Sequence, residues 1–134
     1  MNEALDTCGF PLCKGGVMAS NPQWCQPLKV WKKYFSGWVS TPTPEAVLNS
    51  VAFSDFRFMY GESGLAEGLR DYLITLLKDQ KVFLGYLANM AVSNRPPIGF
   101  LKSFVVEKSG EHKDELNLKV KGFAPIVDIA RLFA

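Results

Sequence analysis

Apolar residues recur at helical spacing along most of this chain. Between residues 28 and 38 they stand at i, i+3, i+7 and i+10, with lysines on the opposite side. Residues 63–78 and 81–93 repeat this pattern with leucines and aromatic residues. Thr43 followed by Pro44 is typical of a helix start, because threonine caps a helix and proline suits its first turn. The pattern therefore predicts a mainly helical protein.

Two segments depart from the helical spacing. Residues 51–63 form an otherwise aromatic and apolar run in which Asp55 and Arg57 are two residues apart, so a strand would place both charges on one face. Residues 116–121 alternate apolar and polar side chains after a polar, turn-prone link, which is typical of a β-hairpin within residues 100–123. The predicted fold class is therefore α+β and mainly α-helical, with a helical bundle and a β-hairpin.

Composition and charge narrow the classes of function. The 134 residues are 48% hydrophobic, which is enough to bury the core of one domain or two small lobes. A net charge of +2 gives no basic patch for nucleic acid. The three cysteines and single histidine form neither a disulfide framework nor a zinc site. The chain has no signal peptide and no apolar run of about 18 residues, so we expect a cytoplasmic protein that binds neither nucleic acid nor membranes.

Carboxylates are the best candidates for chemistry. The sequence has no glycine-rich phosphate loop and no nucleophile elbow. Asp55 has the side chain that Mg²⁺ prefers, but one aspartate cannot hold the two metal ions of a nucleotidyl transfer site. The residues alone leave two interpretations of Asp55 and Arg57 equally open, a surface ion pair and part of a site.

A set of segments carries a resemblance to a known family. In chain order they read CGFPLCKGGVMASNPQW, LKVWKKYFSGW, FSDFRFMYGE, PPIGF and HKDELNLKVKGFAPIVDIAR. Together they resemble the nucleotidyltransferases related to the uridylyltransferase of the PII nitrogen-signalling protein, the DUF294 type, over nearly the whole chain. The resemblance implies that residues 1–61 are the C-terminal part of a polymerase-β-like nucleotidyltransferase core. It implies that residues 62–134 are a helical substrate-binding domain.

The same resemblance implies an activity. The parent protein would transfer a nucleotide from an NTP to a protein or small-molecule acceptor, with Mg²⁺ as its cofactor. In the family, a Gly-Ser motif and a pair of metal carboxylates precede the segment similar to CKGGVMA. We therefore expect this chain to be a fragment of a longer protein, inactive alone and without a cofactor of its own. The alternative function is a non-catalytic helical module for interaction or homodimerisation in signalling.

The resemblance also implies roles for single residues. Asp55 would be the third carboxylate of the core, and thus the catalytic and metal-binding residue of this chain. Arg57 would orient Asp55 or contact phosphate, where a planar guanidinium suits bidentate binding. In the closing motif of the helical domain, a structural network is at least as strong an alternative as substrate contact. The implied nucleotide- or substrate-binding residues are Arg57, Lys14 and Asn21 of the core, and Lys119, Asp128 and Arg131 of that closing motif.

Overall fold

The described part of the chain is built from helices and the loops between them. The computed structural model describes residues 1–93, 106 and 114–133. Within them, none of the helices is long and apolar enough to cross a bilayer. The helices are α1 (Asn2–Thr7), α2 (Leu28–Ser40), α3 (Pro44–Ser54), α4 (Ser63–Leu77), α5 (Lys81–Ser93) and α6 (Ala124–Phe133), and a π-helical segment, Leu118–Phe123, runs directly into α6.

The start of α3 follows from its first residues. The Thr43 hydroxyl accepts a hydrogen bond from the N–H of Ala46 at 3.1 Å, which satisfies one of the free donors of the first turn. Pro44 occupies the first helical position, where its missing N–H costs nothing. The sequence prediction for this helix start is confirmed, and the three-residue connection from α2 brings the two helices into contact.

Helix α2 organises the core, because it contributes to both buried clusters. Phe35, with 2% of its surface exposed, packs with Leu69 and Leu73 of α4. Val39, one turn further along α2, packs with Val47 of α3 and Phe83 of α5. Burying an aliphatic or aromatic side chain of this size stabilises a fold by about 1.5–3 kcal/mol. These clusters therefore hold α2, α3, α4 and α5 together.

The strand predicted within residues 51–63 is wrong. Helix α3 continues to Ser54, whose hydroxyl donates to the carbonyl of Val51, and Asp55 is its C-cap residue. The next residues have no regular structure. A short apolar run does not by its spacing distinguish a strand from the end of a buried helix, and here packing against the core decides for the helix.

The β-hairpin is also wrong where the structure describes it. Its second arm lies in the π-helical segment, which begins where the Asn117 side chain accepts a hydrogen bond from the N–H of Val120 at 3.0 Å. An asparagine that bonds the nearby backbone draws it away from strand pairing. The first arm, within residues 100–113, lies outside the described residues apart from Val106. The described residues contain no strand, so the predicted α+β class is corrected to an all-helical one.

The proposed division of the chain at residue 61 stays a prediction. Both core clusters combine side chains from the two sides of this position, Phe35 with Leu69 and Val39 with Phe83. The two parts therefore share buried apolar surface.

Candidate functional site

Three of the predicted site residues form one network of charges. The Arg131 guanidinium donates to one oxygen of Asp55, Oδ2, through Nε at 2.8 Å and Nη2 at 2.5 Å. Its third nitrogen, Nη1, donates to Oδ1 of Asp128 at 3.3 Å. The resemblance assigned Asp55 to the core and Asp128 and Arg131 to the closing motif of the helical domain, and the fold brings their side chains together although Asp55 and Arg131 are 76 residues apart.

The helices explain this arrangement. Asp55 follows the last residue of α3, so its carboxylate projects from that end of the helix. Arg131 lies in the last turn of α6, where a cation is favoured by the helix dipole, and Asp128 stands one turn before it on the same face. The contact therefore ties the end of α3 to the C-terminal part of α6.

Burial differs among the three side chains. The Asp128 side chain is 10% exposed, that of Arg131 is 28% exposed and that of Asp55 is 51% exposed. The hydrogen bonds to Asp55 raise the pKa of Arg131, and the charge of Asp128 adds to this effect, while partial burial opposes it. Two carboxylates face one guanidinium in this network.

An apolar cavity lies behind the network. Its volume is about 80 Å³, and it is walled by core side chains from α2, α3, α4 and α5 and by Asp128, Arg131 and Leu132 of α6. Ser50 and Ser54 of α3 also line it, but their hydroxyls donate back to α3 carbonyls at 2.7 and 3.1 Å. The serine oxygens thus keep only acceptor capacity for the cavity.

Asp55 could bind a magnesium ion only as one ligand among several. Oδ2 of Asp55 already accepts two guanidinium N–H groups, which leaves Oδ1 for a cation. No group of three or more potential metal-ligating side chains occurs among the described residues. Because Mg²⁺ takes six oxygen ligands, Asp55 fits as a single protein ligand beside phosphate oxygens and water, and these residues alone do not form a magnesium site.

Asn21 has a local structural role in the fold. Its amide Nδ2 donates to the carbonyl of Gly16 at 2.9 Å, and its Oδ1 accepts from the N–H of Gln23 at 3.0 Å. Gly16 has a φ of +68°, a conformation that glycine adopts without strain. Both ends of the Asn21 side chain thus hold the loop before α2 in shape.

The remaining predicted residues are exposed cations. Lys14 lies in a turn, Arg57 in the segment after α3, and Lys119 in the π-helical segment. Among the residues that the structure describes, none of these three side chains is hydrogen-bonded or ion-paired to Asp55. The predicted Asp55–Arg57 pair is therefore not formed, and Arg131 occupies the position expected of Arg57.

Sequence reasoning missed Arg70 of α4. Its guanidinium donates to the carbonyl of Phe56 at 3.4 Å and lies over the Phe56 ring, 5.7 Å from the centroid. Arg70 thus stands beside the residues that follow Asp55. A lone arginine on a leucine-rich helix gives no sequence signal for this placement, which depends on the packing of α4 against α2.

Comparison with protein families gives two matches. Residues 1–45 match the family described as Putative nucleotidyltransferase DUF294. Residues 81–134 match the one described as Putative nucleotidyltransferase substrate binding domain. Together the matches cover about three quarters of the chain. Neither curated proteins nor solved structures gave a significant match.

Proposed function

The chain belongs to the DUF294-type nucleotidyltransferase family, and we propose that it serves nucleotidyl transfer from an NTP to an acceptor. In this proposal it supplies one carboxylate and the substrate-binding helices, and it does not catalyse transfer alone. A single carboxylate with one free oxygen cannot hold the two metal ions that such a reaction uses. A closer likeness to the PII uridylyltransferase, a signalling role and a cytoplasmic location stay predictions.

The observation that carries the proposal is the contact between Asp55 and Arg131. It joins the predicted metal carboxylate to a helix within the matched substrate-binding segment. Arg131 of α6 donates two hydrogen bonds to Oδ2 of Asp55. The position of the other oxygen, Oδ1, therefore depends on how α6 packs. Helix α6 of the substrate-binding segment would thus orient Asp55 to bind a metal ion.

The arginine side chains close to Asp55 support the proposal that the substrate carries phosphate groups. Arg57 is exposed two residues beyond Asp55, and Arg70 lies against Phe56. Guanidinium groups bind phosphate through paired hydrogen bonds. We propose that Arg57 and Arg70 contact the phosphates of the NTP, while Lys14 and Lys119 contribute long-range attraction.

A backbone NMR titration tests this proposal. The chain is titrated with ATP, UTP, GTP and CTP, each with and without Mg²⁺. We expect shifts at Asp55, Arg57 and Arg70 with at least one nucleotide, and larger shifts when Mg²⁺ is present. Asp55→Asn removes the charge and keeps the shape, so it should abolish the Mg²⁺-dependent part and leave the rest.

Glu67→Gln is the matched control, because Glu67 is an exposed carboxylate of α4. Glu67→Gln should leave the nucleotide-induced chemical shift changes the same as in the unchanged chain. The nucleotide proposal fails if no nucleotide shifts these residues, or if Asp55→Asn and Glu67→Gln behave alike.

The exposed face of α6 favours a second candidate function, homodimerisation. Phe123, Ile126, Ile129 and Phe133 recur every three or four residues, so they share one face, and all four side chains are exposed. The same stripe on a second copy would give a self-complementary helix pair, as two-fold interfaces require. We propose α6 as the contact element of such a dimer.

The molar mass in solution tests the second candidate. We expect a concentration-dependent rise in mass by light scattering, which the double substitution Ile126→Ser and Phe133→Ser removes. Leu48→Ser changes an exposed leucine of α3 and serves as the control. A monomeric mass at every concentration would exclude the dimer without affecting the nucleotide proposal.

A further inference from the structure

A second concavity lies on the side of α2 that bears Tyr34 and Trp38. Its volume is about 300 Å³, and it is bounded by the loop before α2, by α2 itself and by the first turns of α3. The lining side chains that carry the argument are the aromatic residues Trp24, Tyr34 and Trp38 and the polar residues Gln23, Glu45 and Asn49. None of these residues belongs to the Asp55 network.

The aromatic rings form two walls close to a right angle. The Trp24 and Tyr34 rings are 6.1 Å apart at an interplanar angle of 75°. Tyr34 and Trp38 are 5.9 Å apart and close to parallel, at 24°. The Tyr34 hydroxyl donates to the carbonyl of Gln23 at 3.1 Å, and Phe53 supports Trp24 at 4.5 Å. The walls are thus held by neighbours, while all three rings stay partly exposed.

Charge restricts what this concavity binds. Among the described residues that line it, Glu45 is the single charged side chain, and none is a lysine or arginine. Within the described residues Glu45 has no ion-pair partner. A phosphate would meet a carboxylate with no cation to offset it, and a divalent metal would find one carboxylate where it needs several oxygen ligands. An anion and a bound metal ion are therefore both unfavourable here.

We propose that this concavity binds an organic cation of the methylated ammonium class. The faces of aromatic rings attract a cation through the ring quadrupole, and tryptophan does so most strongly. The methyl groups of such a cation bury apolar surface against the rings, which a hydrated inorganic ion does not. Glu45 supplies the opposite charge at the rim, and the Asn49 and Gln23 amide oxygens add further acceptors.

Indole signals provide a direct test, because the chain has three tryptophans and one of them is an internal control. Trp24 and Trp38 line the concavity, and Trp31 does not. The unchanged chain is titrated with tetramethylammonium chloride and with choline chloride, against sodium chloride at the same ionic strength. We expect saturable shifts of the Trp24 and Trp38 indole N–H signals and a much smaller shift of Trp31.

Two matched pairs of variants assign the interaction. Glu45→Gln keeps the size of the side chain and should weaken binding roughly fivefold, whereas Glu67→Gln should not change it. Tyr34→Leu removes one wall and should weaken binding by a similar factor, whereas Tyr34→Phe keeps the ring and should bind nearly as well. A helical circular dichroism spectrum like that of the unchanged chain shows that each variant is folded.

Three results would overturn the proposal. The first is a linear response that sodium chloride reproduces. The second is unchanged affinity in Glu45→Gln. The third is equal or tighter binding of uncharged adenosine, which would identify a site for neutral flat rings. None of these outcomes involves Asp55, so they are separate from the test of the nucleotide site.

Discussion

The contact between Asp55 and Arg131 gives a prediction with a magnitude. Two charges about 3 Å apart attract each other by on the order of 5 kcal/mol at an effective dielectric constant of about 20. Water and side-chain ordering remove most of this, because the Asp55 side chain is 51% exposed and that of Arg131 is 28% exposed. We therefore expect a net coupling of about 1 kcal/mol between the two side chains.

The single substitutions should differ. Asp55→Ala removes the exposed partner and should lower the free energy of unfolding by about 1 kcal/mol. Arg131→Ala also takes a hydrogen bond from the largely buried Asp128, so we expect a loss of about 2 kcal/mol. The double variant should also lower the free energy of unfolding by about 2 kcal/mol. Asp55 contributes only through its contact with Arg131, so its removal adds nothing once Arg131 is absent.

Urea unfolding followed by tryptophan fluorescence measures these differences. The coupling should fall in about 1 M salt, since both charges are reached by water. The raised pKa of Arg131 means that its contribution is complete below its unfolded pKa and is lost only in strong alkali, so the coupling should be constant from about pH 6 to about pH 9. Glu67→Ala is the control. Additive single effects, within about 0.3 kcal/mol, would show that the contact contributes nothing to the fold.

Three further predictions concern the helices and the core. Phe35→Ala should lower the free energy of unfolding by about 3–5 kcal/mol, because it empties the centre of one core cluster, and Phe35→Leu should cost much less in the same urea experiment. Thr43→Ala should cost about 1 kcal/mol by removing the cap of α3, whereas the exposed Thr41→Ala should be nearly neutral in thermal unfolding by circular dichroism. Gly61→Ala should cost about 1–3 kcal/mol, because the φ of +105° at this position strains any side chain; an unchanged midpoint would contradict that geometry.

Helix prediction from the sequence was accurate where a long helix buries one continuous apolar face in the core. The stripe from Leu28 to Trp38 predicted α2 because its apolar side chains all face the same neighbours. The two predicted strands failed where the spacing of apolar residues does not decide between strand and helix. In residues 51–63 the choice is made by packing of α3 that no local pattern contains.

The site could be predicted only in part for a similar reason. The resemblance named Asp55 in the core and Asp128 and Arg131 in the helical domain as separate site residues, but the pairing of Asp55 with Arg131 depends on where α6 packs. The roles of Lys14, Arg57 and Lys119 stay predictions. Arg70 and the Glu45 concavity were missed, because each depends on how neighbouring segments pack against one another, which no local pattern contains.

Helix α6 buries little of its own surface. Pro125 is its one buried residue within the described chain, and its apolar stripe points to solvent. Among the described residues, its main contacts outside its own segment are with α5 and through the partly hydrated Asp55–Arg131 pair. Elements with so little buried surface open in native-state hydrogen exchange without global unfolding. Since Arg131 and Leu132 wall the 80 Å³ cavity, each such opening would admit a small apolar molecule to the interior while the Phe35 and Phe83 clusters stay intact.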